Sequence, residues 1–183
     1  MRLKDKIALV TSTQHPCAHA TVIGFAREGA HCVVVDSDTG RAEPLAAEAR
    51  SLGRRALSLQ ADVTKKYQVE EAVGRAVAEF GRIDVLFNCS GLTQESDFLN
   101  LTEEAFNLCI DRGPKAYFLT CQAVGRQMAE QRSGKIINLS TTDARIGSGE
   151  STANSAAYSS IDAMTRAVAQ ALGYYGVNVN SLV

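Results

Sequence analysis

Ile7-Ala8-Leu9-Val10-Thr11, then the turn Ser12-Thr13-Gln14-His15-Pro16, then Cys17 to Glu28: this stretch decides the fold. The first five residues read as a buried strand, being short, apolar and partly β-branched. Cys17 to Glu28 carries helical spacing and is closed by Gly29. His31-Cys32-Val33-Val34-Val35-Asp36 follows as a second apolar strand. Strand, helix and strand at this spacing make a βαβ unit, whose two strands run parallel.

The alternation continues outward from that unit. Arg41 to Leu52 reads as a helix stopped by Gly53, Ala56 to Gln60 as a strand, Val69 to Phe80 as a helix and Val85 to Asn88 as a strand. A long helical stretch is predicted from about Glu103 to Met128, then the strand Lys135 to Leu139. A helix from about Ala156 to Leu172 leads into the strand Val177 to Leu182. Strands apolar throughout and separated by helices imply a parallel sheet covered on both faces. With right-handed crossovers this is a doubly wound, Rossmann-like α/β domain. No internal repeat or linker divides residues 1–183, so one domain is expected. Thr141 to Asn154, rich in Gly, Ser and Thr, reads as the longest loop, and loops beyond the carboxyl ends of such strands carry the site.

Composition narrows the function. The chain has 183 residues, 45% of them hydrophobic, which suits one soluble domain with a sizeable core. A net charge of -1 offers no basic stripe for nucleic acid. No apolar run approaches the ~20 residues that cross a bilayer, so no membrane role is expected. The start, Met1-Arg2-Leu3-Lys4-Asp5-Lys6, lacks the apolar core of a signal peptide. Five cysteines (Cys17, Cys32, Cys89, Cys109, Cys121) form no CxxC pair, which favours reduced thiols in a cytoplasmic protein. Three histidines without ligand spacing suggest no metal site.

Several phrases carry a resemblance. They are Lys6 to Thr11, Gly24-Phe25-Ala26-Arg27-Glu28-Gly29-Ala30, Ala61-Asp62-Val63-Thr64, Gly81 to Gly91 ending in Asn88-Cys89-Ser90-Gly91, Ile136-Ile137-Asn138-Leu139-Ser140, Ala157-Tyr158, and Gly176 to Asn180. In this order they resemble the short-chain dehydrogenase/reductase family along essentially the whole chain. The resemblance implies NAD-linked hydride transfer, with Asp36 at the adenosine ribose, Asp62 on the adenine side, Ser90 beside the cofactor, Tyr158 as proton donor and acceptor, and Thr141 in place of the serine that polarises the carbonyl. It also implies a further helix and strand beyond Val183. The domain as read is C-terminally short: either the natural protein ends early or a further part follows Val183, and only in the first case are the family's substrate lid missing and a sheet edge exposed.

The chain departs from the family pattern at telling places. Ser12, Pro16 and Ala18 stand where the family's first turn has three glycines, which permit a tight turn and let backbone N–H groups close on a diphosphate. Proline has no N–H to donate. His15 and His19 are a weak substitute for such a nest. Asp162 stands where the family has a lysine four residues after the tyrosine, on the same helix face. A carboxylate there is expected to raise the tyrosine pKa rather than lower it. Gly113, in Ile110-Asp111-Arg112-Gly113-Pro114-Lys115, replaces the family's helix asparagine, and Gly-Pro keeps a helix break there.

Losses in the phosphate loop, the lysine and the asparagine together lead to the expectation of a non-catalytic subunit. On this reading the chain binds no cofactor itself, with NAD on an active partner of the same family, and Tyr158, Thr141, Asp36, Asp62 and Ser90 are remnant positions, inactive and unused. Pairing, or self-association, would run through the helices at about 103–128 and 156–172. Family precedents join an active to a degenerate subunit, among them an acyl-CoA dehydrogenase of anaerobic toluene breakdown. The alternative is an active NAD-dependent alcohol or ketone oxidoreductase with an atypical loop, using Tyr158, Thr141 and Ser140. A further alternative is a small-ligand binding module whose cleft is lined by His15, Ser90, Thr141 and Tyr158.

Overall fold

In the computed structural model, residues 1–89 and 97–183 are described. Six strands, β1 (Ile7–Thr11), β2 (His31–Asp36), β3 (Ala56–Gln60), β4 (Val85–Asn88), β5 (Gly134–Leu139) and β6 (Val177–Leu182), form one parallel sheet in the order β3-β2-β1-β4-β5-β6. The order reverses between β1 and β4, so the two halves of the sheet diverge there and open a crevice above the strand ends. This is the Rossmann-like α/β architecture the sequence predicts.

Alternate residues of each strand serve opposite faces. Leu9, Val33, Leu86, Ile136 and Val179 pack under α3 (Lys66–Phe80), α5 (Ala116–Gln131) and α7 (Thr152–Gly173). Val10, Val34, Phe87 and Leu139 face α1 (Pro16–Arg27) and α2 (Thr39–Ser51). Every residue of β1 is buried, because a central parallel strand is covered on both sides.

Three elements differ from the sequence expectation. The stretch expected as one helix from about 103 to 128 is α4 (Glu103–Ile110), a π turn over Asp111–Lys115, and α5, which runs on to Gln131. Gly113 lies at φ -91°, ψ -106°, outside helical geometry, and Pro114 removes the N–H that would have bonded across it. The expected loop Thr141 to Asn154 contains a single helical turn, α6 (Asp143–Ile146). Its last three residues already belong to α7, which begins four residues before the expected Ala156. Among the described residues no helix is long and apolar enough to cross a membrane.

Candidate active site

The turn after β1 shows why the missing glycines do less damage than their chemistry suggests. Ser12 has φ +53°, in the left-handed region that glycine adopts freely, and its N–H donates to Val35 O at 2.9 Å. The turn thus keeps a glycine-like backbone with a serine in it. Pro16 is the first residue of α1, where its fixed φ suits the helix and no intrahelical hydrogen bond is lost. Ala18 is fully buried against the sheet, so its methyl is accommodated in the helix–strand contact. Two of the donors at this end are nevertheless taken. The Cys17 N–H goes to His15 Nδ1 at 3.1 Å, and the Ala18 N–H to His15 O at 2.9 Å. His15 is therefore a helix cap in this structure.

Beyond the ends of β1, β2 and β3 lies a cleft of about 240 Å³. Its floor and walls include Ser12, Gln14, Asp36, Asp62, Leu108 and Arg112, so two of the residues expected to meet a cofactor, Asp36 and Asp62, share one cavity. Asp36 is 3% exposed and its carboxylate is fully engaged. Oδ2 accepts from the Thr13 N–H and Oγ1–H, both at 2.7 Å. Oδ1 accepts from the Asp38 N–H at 2.9 Å and from Arg41 Nη2 at 2.8 Å. Burial pushes this carboxyl up, but the hydrogen bonds from Thr13, Arg41 and Asp38 outweigh it and hold it below the ordinary range. Asp62 accepts from the Thr64 N–H and hydroxyl at 2.9 and 2.7 Å, which fixes the wall opposite.

Tyr158 is 3% exposed and packs with Cys109, Tyr117, Ala157 and Ile161. Beneath this cluster runs a buried polar chain: the Thr120 hydroxyl donates to Asn88 Oδ1 at 2.7 Å, Asn88 Nδ2 to Asn138 Oδ1 at 2.9 Å, and Asn138 Nδ2 to Thr165 Oγ1 at 2.8 Å. It ties β4, β5, α5 and α7 together under the site. Cys121 borders it, and burial pushes that thiol up to about 12, so it is no nucleophile at neutral pH. Thr141 begins the segment after β5 and is half-buried, its hydroxyl accepting from the Asp143 N–H at 3.2 Å.

Two buried side-chain oxygens near this end have no hydrogen-bond partner among the described residues, Ser140 Oγ and Asp162 Oδ1. Ser140 is 4% exposed and adjoins Thr141; Asp162 follows Tyr158 by one turn of α7. Buried polar atoms without partners are uncommon in folded proteins, and each is completed by an ordered water, an ion or a bound molecule. Gly113 is buried in the π turn, and Lys115 is committed to Asp111 at 2.8 Å. Ser90 lies outside the described residues. Arg112 was missed in the sequence, since only the kink and the sheet topology bring it to the cleft.

Comparison with known proteins bears on these assignments. The family model described as short chain dehydrogenase matches residues 6–183. The "(2S)-[(R)-hydroxy(phenyl)methyl]succinyl-CoA dehydrogenase subunit BbsD" of Thauera aromatica is 32% identical over 180 residues, covering 98% of this chain and 72% of that protein. Galactitol 2-dehydrogenase of Agrobacterium fabrum is 33% identical over 183 residues, covering 100% and 70%. The crystal structure of NAD+-bound xylitol dehydrogenase superposes with a TM-score of 0.95 at 28% identity, over 99% of this chain and 70% of that one.

These findings overturn the expectation of a non-catalytic subunit. The relatives carry the names of working oxidoreductases. The expectation took the substitutions as damage to the fold of the turn itself, whereas Ser12 keeps the left-handed backbone and Pro16 occupies a helix position that suits proline; what the turn loses is donors, not shape.

Proposed function

Because this chain belongs to the short-chain dehydrogenase family, we propose that it is an NAD-dependent oxidoreductase acting on a secondary alcohol or the corresponding ketone, with an atypical cofactor loop. The cleft above β1–β3 carries this reading: it lies beyond the carboxyl ends of three parallel strands, to one side of the β1–β4 reversal, and is walled by Asp62, Ser12 and Gln14. A nicotinamide dinucleotide, when bound, gives or takes the hydride. The chain's own residues hold the adenosine half: Asp62 and Gln14 offer polar groups and Leu108 an apolar wall. Asp36, saturated by Thr13 and Arg41, shapes the rim of that half.

At the other end Tyr158 exchanges the proton with the substrate oxygen, and the Thr141 hydroxyl donates to that oxygen. Ser140 Oγ and Asp162 Oδ1, without a partner among the described residues, complete their bonding on the bound molecules. Asp162 accepts hydroxyl protons where the family's lysine would donate. The word "subunit" in the name of the Thauera relative supports assembly as well. The apolar groove between α5 and α7, lined by Phe118, Gly125, Ala129, Val168 and Leu172, is the face through which two such chains pack in this reading.

The test is turnover. The purified protein is incubated with NAD and a panel of secondary alcohols, and nicotinamide reduction is followed by absorbance. Wild type is expected to reduce NAD with at least one alcohol, and Tyr158→Phe to lose activity by about a hundredfold or more. A Tyr158→Phe variant as active as wild type removes Tyr158 from the chemistry.

A further inference from the structure

The cleft above β1–β3, which takes the adenosine half of the dinucleotide in this reading, has a largely acidic lining. Its charged lining is Asp36, Asp62, Asp111 and Arg112. Asp36 is matched by Arg41, and Asp111 by Lys115 at 2.8 Å. Asp62 has no ion pair among the described residues, and neither has Arg112. The turn after β1, whose Ser12 and Gln14 line the same cavity as Arg112, offers a diphosphate fewer backbone donors than a glycine-rich turn does. Pro16 has no N–H, and the next two N–H groups are taken by His15. Negative charge entering here needs a donor, and one cation stands in the lining.

We infer that Arg112 is the diphosphate-binding residue of this chain, making up for the donors that Pro16 lacks and that His15 takes from Cys17 and Ala18. The inference rests on the dinucleotide reading of the same cleft. The kink at Gly113 makes it possible. The π turn Asp111–Lys115 departs from helical geometry immediately after Arg112, and Arg112 lines the cavity together with Leu108, one turn earlier on α4. Arg112 is exposed and has no hydrogen bond or ion pair among the described residues, so its guanidinium is spare for a ligand. Its planar fork matches two phosphate oxygens at once, which a single ammonium does not.

The experiment is calorimetric titration of the whole chain with adenosine and with ADP, for wild type, Arg112→Ala and Arg112→Lys. Wild type is expected to bind both and to bind ADP more tightly. Arg112→Ala should leave adenosine affinity unchanged and weaken ADP about ten- to a hundredfold, the range for a hydrogen bond to a charged group. Arg112→Lys should recover part of that loss. ADP bound equally tightly by wild type and Arg112→Ala overturns the role of Arg112 and leaves the dinucleotide reading standing. Equal weakening of adenosine and ADP also overturns it, since the residue would then act on the cleft as a whole. Wild type binding neither ligand overturns the dinucleotide reading itself.

Discussion

Replacing Asp36 by asparagine should destabilise the protein by about 2–4 kcal/mol, and the geometry says where that comes from. The carboxylate accepts from Thr13 twice on one oxygen, and from Asp38 and Arg41 on the other. An amide has one oxygen, so one side must face an NH₂ group. Turning the amide oxygen toward Thr13 is the cheaper choice. Thr13 has no other acceptor among the described residues, while Arg41, at 39% side-chain exposure, can turn to Asp38 or to water. The Arg41 pair is therefore worth under about 1 kcal/mol after solvent screening. Leaving the Asp38 N–H against an NH₂ group adds about 1–2 kcal/mol, and weakening two charge-assisted bonds to neutral ones adds a similar amount. For a chain of this size the loss corresponds to roughly 5–15 °C in Tm. Urea unfolding of both proteins, followed by circular dichroism, measures it. An Asp36→Asn midpoint within about 0.5 kcal/mol of wild type would mean the carboxylate is not held as described, and would return Asp36 to the ribose.

Two further outcomes follow from the same coordinates. In Gly134→Ala the new methyl would come within 2.8 Å of Met128 Cβ and closer to its Sδ, and Met128 is fully buried, so the variant should lose about 1–3 kcal/mol with an unchanged urea slope; an unchanged midpoint would put Met128 elsewhere. Acid should weaken the fold, since hydrogen bonds from Arg50 and Ser58 hold Glu43 down to about 2 and Asp36 is also held below its usual value. Carboxylates lowered by folding contribute stability that is present above their unfolded pKa near about 4 and lost as pH falls through the folded value. The urea midpoint should therefore be level above about pH 5 and fall toward pH 2, and a midpoint that rises on acidification would contradict this.

The strands were readable because a doubly covered parallel sheet demands unbroken apolar runs, and five of the six have the bounds the sequence predicts. The sixth, β5, begins one residue early at Gly134. Helices read less well where backbone geometry intervenes. Gly113-Pro114 signalled a break but not the π turn that it produces, and α6 is a single turn with no apolar period to betray it. At the site, Asp36 and Asp62 were legible from their places after β2 and β3. The saturation of Asp36 was not, because Thr13 and Arg41 reach it from separate elements. The turn after β1 misled for a physical reason: residue type suggested a lost glycine conformation, yet Ser12 holds φ +53° and Pro16 starts the helix. Arg112 drew no attention, since a cation gains meaning there only when α4 is seen above the ends of β1–β3.

The most direct test of the central claim is calorimetric titration of the folded, purified chain with NADH. The account predicts saturable binding at one site per chain, abolished by excess ADP, which competes for the same cleft. A folded sample that takes up no NADH at millimolar concentration would contradict it.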